Sequence, residues 1–152
     1  MTEGDLSDMG VSFDLDRFLI GQDLQSRPLA GADRADDLPE QSAEIVLPQF
    51  WSLGSDASAR RFGLKGLDEA HAYWNHPILG DRLRHAIEAS LVSGTKDPVL
   101  AIGEVNAKRF RSCLTLFLNV APGDPLLTRA LAWFFRGKPC RKTLAHLERS
   151  VR

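Results

Sequence analysis

A basic stretch at residues 108–112, Lys-Arg-Phe-Arg-Ser, carries the strongest signal for chemistry in this sequence, because it leads directly into the apolar segment 114–117. An apolar segment is buried, so at least one guanidinium group of Arg109 and Arg111 must lie at the edge of the core, where it requires a compensating charge. A planar guanidinium binds a carboxylate or a phosphate through two parallel hydrogen bonds. The pattern therefore supports either a salt bridge within the chain or a site for an anionic ligand, to which Ser112 donates a hydrogen bond.

A second group of polar side chains precedes a predicted helix start. His76 stands directly before Pro77, where a neutral imidazole can bind the exposed amides of the first helical turn or a bound anion. The simpler interpretation is a local cap. In the ligand interpretation, His76 and Tyr73 orient an anion that Arg109 and Arg111 hold.

The two cysteines, Cys113 and Cys140, show neither a metal-binding spacing nor a disulfide framework, and we expect two free thiols in a reducing compartment. Cys113 falls in the apolar segment and is predicted to pack in the core. Cys140 lies among cations at residues 138–142, which lower the pKa of a thiol, and it is the more reactive candidate.

Several kinds of site are not indicated. His71 and His76 are five residues apart, a spacing that a helix turns to different faces, and no further ligand completes a zinc site. No glycine-rich phosphate loop, Ser-His-Asp pattern or His-Glu-x-x-His motif occurs, and no acid/base pair can be named. We therefore predict no metal and no cofactor, and leave open whether the protein is an enzyme.

Composition predicts one globular domain. The chain has 152 residues, of which 43% are apolar and 26% charged, with a formal net charge of −1. It contains no run of eighteen apolar residues, so we expect no membrane association. Its first ten residues are acidic and polar, whereas a secretory signal begins with basic residues, so we expect a cytoplasmic protein.

Charge is distributed unevenly along the chain. Residues 1–56 contain twelve acidic and three basic residues, whereas residues 57–152 contain eight acidic and sixteen basic residues. The basic residues are scattered over several predicted elements rather than clustered in a tract. We therefore expect the acidic part to lie against the basic part of the same fold, and consider nucleic-acid binding the weaker interpretation.

Hydrophobic periodicity and capping residues predict a mainly α protein, a single compact domain over residues 13–150 after a flexible leader at 1–12. About six helices are expected, together with one or two short extended segments. Six helices are predicted at residues 14–23, 68–76, 77–93, 105–120, 125–135 and 141–149, besides a brief helix at 57–62, and residues 45–47 form the extended run. The helix at 105–120 loses its polar face after Ser112, so we place it at the centre of the domain. Residues 25–44 are expected to form a loop, and residues 94–98 a turn.

Four blocks of the sequence together resemble the DUF1810 family, a set of small, mostly bacterial α-helical proteins of unknown function. They are Phe13-Asp14-Leu15-Asp16-Arg17-Phe18-Leu19 with Gln22-Asp23, Leu67-Asp68-Glu69-Ala70 with Tyr73, His76-Pro77-Ile78-Leu79-Gly80 with Arg82-Leu83, and Arg111-Ser112 with Thr115-Leu116-Phe117. The resemblance spans most of residues 13–147. It implies a single α-helical domain and no established activity.

The chain departs from the family in the segment 34–47. The family has a basic pair and a stretch with one histidine and two tryptophans before the Pro-Gln that corresponds to Pro48-Gln49. Here residues 41–47 keep only the apolar end, and Asp36-Asp37 occupy the region of the basic pair. Arg109 stands where the family usually has lysine and keeps the charge. Two interpretations follow. One is that this chain lacks half of a ligand site that the family has; the other is that the segment 34–47 has only a structural role in the family.

Two functions follow from these observations. The first is an uncharacterised cytoplasmic helical domain that acts as a non-catalytic scaffold or interaction protein with an unknown protein partner, which the divergent segment favours. The alternative is binding or hydrolysis of a small anionic, nucleotide-like ligand of the ADP-ribose type. Its candidate site would comprise Arg109, Arg111, Ser112, His76 and Tyr73.

Overall fold

The computed structural model of the chain describes residues 14–26, residue 48 and residues 62–151. The predicted leader at 1–12, the predicted extended run at 45–47, residues 57–61 of one predicted helix, and the divergent segment 34–47 lie outside the described residues.

Seven α-helices make up most of the described chain, which confirms the mainly α fold class. In chain order they are α1 (Asp16–Ser26), α2 (Leu67–Asn75), α3 (Leu79–Val92), α4 (Pro98–Ile102), α5 (Glu104–Leu118), α6 (Pro125–Phe135) and α7 (Arg141–Val151). The first helix continues to Ser26, past its predicted end at Asp23. None of the helices in the described ranges has the length and apolar character needed to cross a membrane.

Helix α5 lies at the centre of the packing, as its apolar composition predicted. It packs against α2, α4, α6 and α7. Its inner face consists of fully buried side chains, among them Phe110, Cys113, Leu114 and Phe117. The Phe117 ring lies 5.7 Å from the ring of Tyr73 and 5.5 Å from that of Trp74, so α2 is held against α5 by aromatic contacts.

The junction of α2 and α3 depends on a glycine. A Cβ atom at Gly80 would overlap the carbonyl oxygen of Trp74, so only a residue without a side chain allows the first turn of α3 to approach the end of α2 this closely. The neighbouring Arg84 guanidinium lies 4.1 Å from the centroid of the Trp74 ring and closes the other side of this contact.

Helix α4 was not predicted. It begins at Pro98, the last residue of the turn that we predicted at residues 94–98. Asp97 caps it by accepting a hydrogen bond from Val99 N at 2.9 Å, and Pro98 occupies the first helical turn. The same Asp-Pro pair starts α6, where Asp124 accepts a hydrogen bond from Leu127 N at 3.0 Å. With five residues, α4 is too short to show hydrophobic periodicity, so periodicity does not predict it.

Candidate functional site

The five residues grouped by sequence reasoning lie in different surroundings. Tyr73 is fully buried between the rings of Phe18, at 5.0 Å, and Phe117, at 5.7 Å. Its hydroxyl lies 3.4 Å from the donor Gln22 Nε2. Burial raises the pKa of the phenol far above its usual range. The Tyr73 hydroxyl is thus a polar group of the core, away from any ligand in solvent.

His76 forms the local cap that was the simpler interpretation. Its Nδ1 accepts hydrogen bonds from the backbone N–H groups of Ile78 and Leu79, both at 3.1 Å. These two amides belong to the start of α3 and have no partner within the helix. The imidazole therefore uses its acceptor nitrogen to begin a helix.

Arg111 and Ser112 both face the loop that leads into α7. Arg111 Nε donates to the carbonyl oxygen of Lys138 at 3.0 Å, and its guanidinium carbon lies 5.6 Å from the centroid of the Phe135 ring. Within the described part of the chain, the charge of Arg111 thus meets a carbonyl and a ring rather than the carboxylate that the salt-bridge interpretation expected. Arg109 is half-buried two residues earlier on α5.

A buried guanidinium–carboxylate pair in the described part of the chain joins Arg17 to Glu69. Arg17 Nη1 lies 2.9 Å from Glu69 Oε2, and the side chains are 7% and 2% exposed. In this pair the cation comes from the N-terminal part, residues 1–56, and the carboxylate from residues 57–152. Glu69 also accepts the N–H of Lys65 at 2.9 Å, and Arg17 Nη2 donates to the carbonyl of Gly63 at 2.9 Å.

Ser112 is part of a cluster that we call the thiol site, made of Ser112, Thr115, Cys140 and Thr143. Cys140 precedes α7 directly, and its carbonyl accepts Leu144 N at 3.2 Å, so it occupies the N-cap position. Its N–H donates to Thr115 Oγ1 at 2.8 Å, and the Ser112 hydroxyl donates to its sulfur at 3.4 Å. Sequence reasoning selected Ser112 and Cys140 separately; the fold brings them together.

The surroundings of the two thiols shift their pKa values in opposite directions. Partial burial acts to raise the pKa of Cys140, but the hydroxyls of Ser112 and Thr143 and the N–H groups of Thr143 and Lys142 outweigh it, so the pKa is lowered. Burial alone raises the pKa of Cys113 well above its usual range. Cys113 is a core thiol, as predicted.

A second feature, which sequence reasoning missed, is an open groove of about 700 Å³ between the segment that starts α4 and helix α6. We call it the basic groove; its lining residues are Lys96, Asp97, Pro98, Arg129, Ala132, Trp133, Phe134 and Arg136. The Trp133 side chain is 36% exposed, its Nε1 donates to the carbonyl of Thr95 at 2.9 Å, and Lys96 Nζ lies 4.8 Å from the ring centroid. A fixed indole with a cation over its face is therefore presented to solvent.

Arg136, which lines the basic groove, has a backbone conformation that is uncommon for residues other than glycine. It ends α6 with φ 56° and ψ 29°, the left-handed region, which glycine adopts at much lower cost. Gly137, the next residue, also has a positive φ, of 75°. The chain thus carries a charged side chain at a position where the backbone favours glycine.

Metal binding finds no support in the described ranges, since no group of three or more His, Cys, Asp or Glu residues there is placed to hold an ion.

Comparison with known proteins identifies relatives of the chain but no activity. The model of the family described as "Protein of unknown function (DUF1810)" matches residues 12–147. A crystal structure of the conserved hypothetical protein Rv1873 from Mycobacterium tuberculosis is 30% identical in sequence, with a TM-score of 0.76. The alignment covers 90% of this chain and 97% of that one. No curated protein matches the chain.

Proposed function

Because the chain belongs to the DUF1810 family, which carries no assigned activity, its function must come from its own surface, and we propose that it is a non-catalytic interaction domain. Its basic groove binds an acidic, partly apolar segment of a partner protein. The observation that carries this proposal is the exposed indole of Trp133 with Lys96 over its face and two arginines along the same groove. Two free thiols fit a partner met in the cytoplasm.

Charge is the first argument for an acidic partner. Lys96, Arg129 and Arg136 are all exposed, whereas the one carboxylate of the lining, Asp97, is bound to the N–H of Val99. The groove is therefore cationic, and a segment rich in glutamate or aspartate complements it. Tryptophan and arginine are also the residue types that most often dominate the binding energy of protein interfaces.

Exposed aliphatic side chains beside the groove are the second argument. Val99 and Leu100 follow the lining residue Pro98 and are 46% and 76% exposed, and Val92, at the end of α3, is 80% exposed. Neighbouring exposed apolar residues are typical of surfaces that meet a partner. A peptide that alternates acidic and apolar residues would contact both the cations and this aliphatic segment.

A protein partner fits the groove better than the small nucleotide-like anion. A phosphate group would be expected at a helix N-terminus, but the N-terminus of α4 is already occupied by the Asp97 carboxylate, which repels an anion. The groove is open, whereas sites for small ligands enclose most of the ligand surface. The residues first proposed to hold such a ligand are dispersed, with Tyr73 in the core and His76 in a cap.

The conformation of Arg136 gives independent support. A non-glycine residue in the left-handed region costs about 1–2 kcal/mol, and where a helix ends in this conformation the residue is usually glycine. Here the strained residue directs a cation into the groove. An interface role accounts for an arginine at a position that glycine would fill at lower cost.

Fluorescence anisotropy tests the proposal with a fluorescein-labelled peptide in which glutamate alternates with leucine. We expect binding by the intact chain that weakens as salt rises, and a loss of about tenfold or more in affinity for the double variant Lys96→Glu and Arg129→Glu. Lys108→Glu, an exposed lysine of α5 outside the groove, is the matched control and should bind nearly as well as the unchanged protein.

Two outcomes would contradict the proposal. Equal losses for Lys108→Glu and for the groove variants would show non-specific attraction to a basic protein. Stabilisation by ADP-ribose in a thermal-shift assay, without any binding of the acidic peptide, would instead favour the small anionic ligand.

A further inference from the structure

We propose that Cys140 is a modification site at which a hydroperoxide oxidises the thiolate to a sulfenic acid. The residues that form it, Ser112, Thr115, Cys140 and Thr143, do not line the basic groove, so this inference is independent of the proposed interaction. It begins from the position of the sulfur at the N-terminus of α7, a helix of eleven residues.

Cysteine replaces the usual oxygen at this helix cap. N-cap positions favour serine, threonine, aspartate and asparagine, whose oxygens accept the free N–H groups of the first turn. At α7 those N–H groups, from Lys142 and Thr143, face the Cys140 sulfur. A thiolate gains more from such dipoles than a neutral thiol does, so the cap favours the nucleophilic form.

Ser112 supplies a hydrogen bond from a second element. Ser112 is 6% exposed, and its hydroxyl donates to the Cys140 sulfur at 3.4 Å, while Thr115 Oγ1 accepts the Cys140 N–H at 2.8 Å. Both residues belong to α5, the most buried helix of the fold. The sulfur is therefore positioned by the core as well as by its own helix.

The buried Thr143 hydroxyl has no well-aligned hydrogen-bond partner among the described residues, which indicates room for one more acceptor atom beside the Cys140 sulfur. Thr143 is fully buried, and its hydroxyl lies near enough to the Cys140 sulfur to help lower the pKa of the thiol, yet Oγ1 forms no well-aligned hydrogen bond with any residue of the described ranges. A buried hydroxyl left unsatisfied is unfavourable. An oxygen added to the sulfur would supply a better-aligned acceptor than the sulfur itself, which is the feature that favours oxidation over a merely structural thiol.

Charge and access agree with this role. The charged residues next to Cys140 in the chain and on the facing turn of α5 are all cations: Lys138, Arg141, Lys142 and Arg111. Cys140 is half-buried, so a small peroxide can reach its sulfur, whereas Cys113 is fully buried. The chain thus contains its own unreactive reference thiol.

The reaction balances without any further component. The Cys140 thiolate attacks the terminal, hydrogen-bearing oxygen of the hydroperoxide, a sulfur–oxygen bond forms, and the oxygen–oxygen bond breaks. Sulfur loses two electrons and the peroxide gains them. The departing hydroxide or alkoxide takes up the proton that the Cys140 thiol released on ionisation and leaves as water or alcohol.

Mass spectrometry of the full chain tests the site directly. After brief treatment with hydrogen peroxide and trapping with dimedone, we expect the label at Cys140 to exceed that at Cys113 by about tenfold or more, and unfolding in urea to abolish the difference. Equal labelling of the two folded thiols would overturn the proposal, as would a Cys140 reactivity that is the same in the folded and unfolded chain.

A pH profile separates a positioned thiolate from an exposed thiol. We expect the rate of Cys140 alkylation by iodoacetamide to reach half its maximum at a lower pH than in an unstructured cysteine peptide. Ser112→Ala and Thr143→Val should each move this midpoint upward while circular dichroism stays unchanged, and Lys108→Glu should not move it. If Ser112→Ala and Thr143→Val are folded and neither shifts the midpoint, the proposed role of the site is wrong.

Discussion

Arg17 on α1 and Glu69 on α2, 52 positions apart in the chain, form a buried ion pair with a distance of 2.9 Å between Nη1 and Oε2. A second bond joins Arg17 Nη2 to Glu69 Oε1 at 3.3 Å, so the pair is bidentate. Both residues belong to blocks that resemble the DUF1810 family. The pair therefore gives Arg17 and Glu69 of those two blocks a structural role, as a contact between α1 and α2.

Removal of one partner leaves a buried charge uncompensated. We expect Glu69→Ala to lower the free energy of unfolding by about 3–5 kcal/mol in urea denaturation. Asp81→Ala, which removes the carboxylate of the exposed pair with His85, should cost far less. The double variant Arg17→Met and Glu69→Leu should be more stable than Glu69→Ala alone; if it is not, the pair is not the source of the loss.

Gly80 should tolerate no side chain. Because its Cβ would overlap the Trp74 carbonyl, Gly80→Ala is expected to lower the free energy of unfolding by about 1–3 kcal/mol, although alanine favours helices. Gly123→Ala, with open space around its Cβ, serves as the control and should change thermal stability little. A Gly80→Ala protein as stable as the unchanged chain would contradict the close approach of α2 and α3.

Asp97 and Asp124 cap their helices in the same way, so variants at these two positions distinguish an effect on stability from an effect on peptide binding. Asp97→Ala and Asp124→Ala each remove an N-cap, so each should cost about 1 kcal/mol in denaturation experiments. Only Asp97 lies in the basic groove, and its loss removes the one negative charge there. Asp97→Ala should therefore tighten binding of the acidic peptide, measured by anisotropy, while Asp124→Ala leaves it unchanged.

Arg136 should show opposite effects on stability and binding. Glycine relieves the left-handed backbone, so Arg136→Gly is expected to raise the free energy of unfolding by up to about 1 kcal/mol while weakening the peptide complex. Arg136→Ala removes the same charge without relieving the backbone and should only weaken binding. Unchanged affinity for both variants would exclude Arg136 from the groove's function.

His85 should respond to pH through its contact with Asp81. The Asp81 backbone carbonyl, 2.9 Å from Nδ1, and then the Asp81 carboxylate raise the pKa of the imidazole above its usual 6.5. A raised folded pKa means that the stabilisation is complete below the unfolded pKa and is lost as pH rises through the folded value. In an NMR titration, Asp81→Asn should lower the His85 pKa only in part, because the carbonyl remains.

Local features of the sequence were sufficient for most of the helices, with α4 the exception. Periodicity and caps predicted α3, α5, α6 and α7, and the apolar composition of α5 placed it at the centre. The His76 cap was predicted as well, because its partners lie only two and three residues away. Such features involve neighbours in the chain, whose geometry follows from the helix itself.

The candidate sites were decided by tertiary structure. Trp133 and the carbonyl of Thr95 lie 38 positions apart, and Ser112 and Cys140 lie 28 apart. No spacing in the sequence indicates that these residues meet, since their contacts depend on how α3, α5, α6 and α7 cross. The sequence by itself determined most of the helical segments and which residues carry charge or a thiol; the packing of those helices decided which of these residues share a surface.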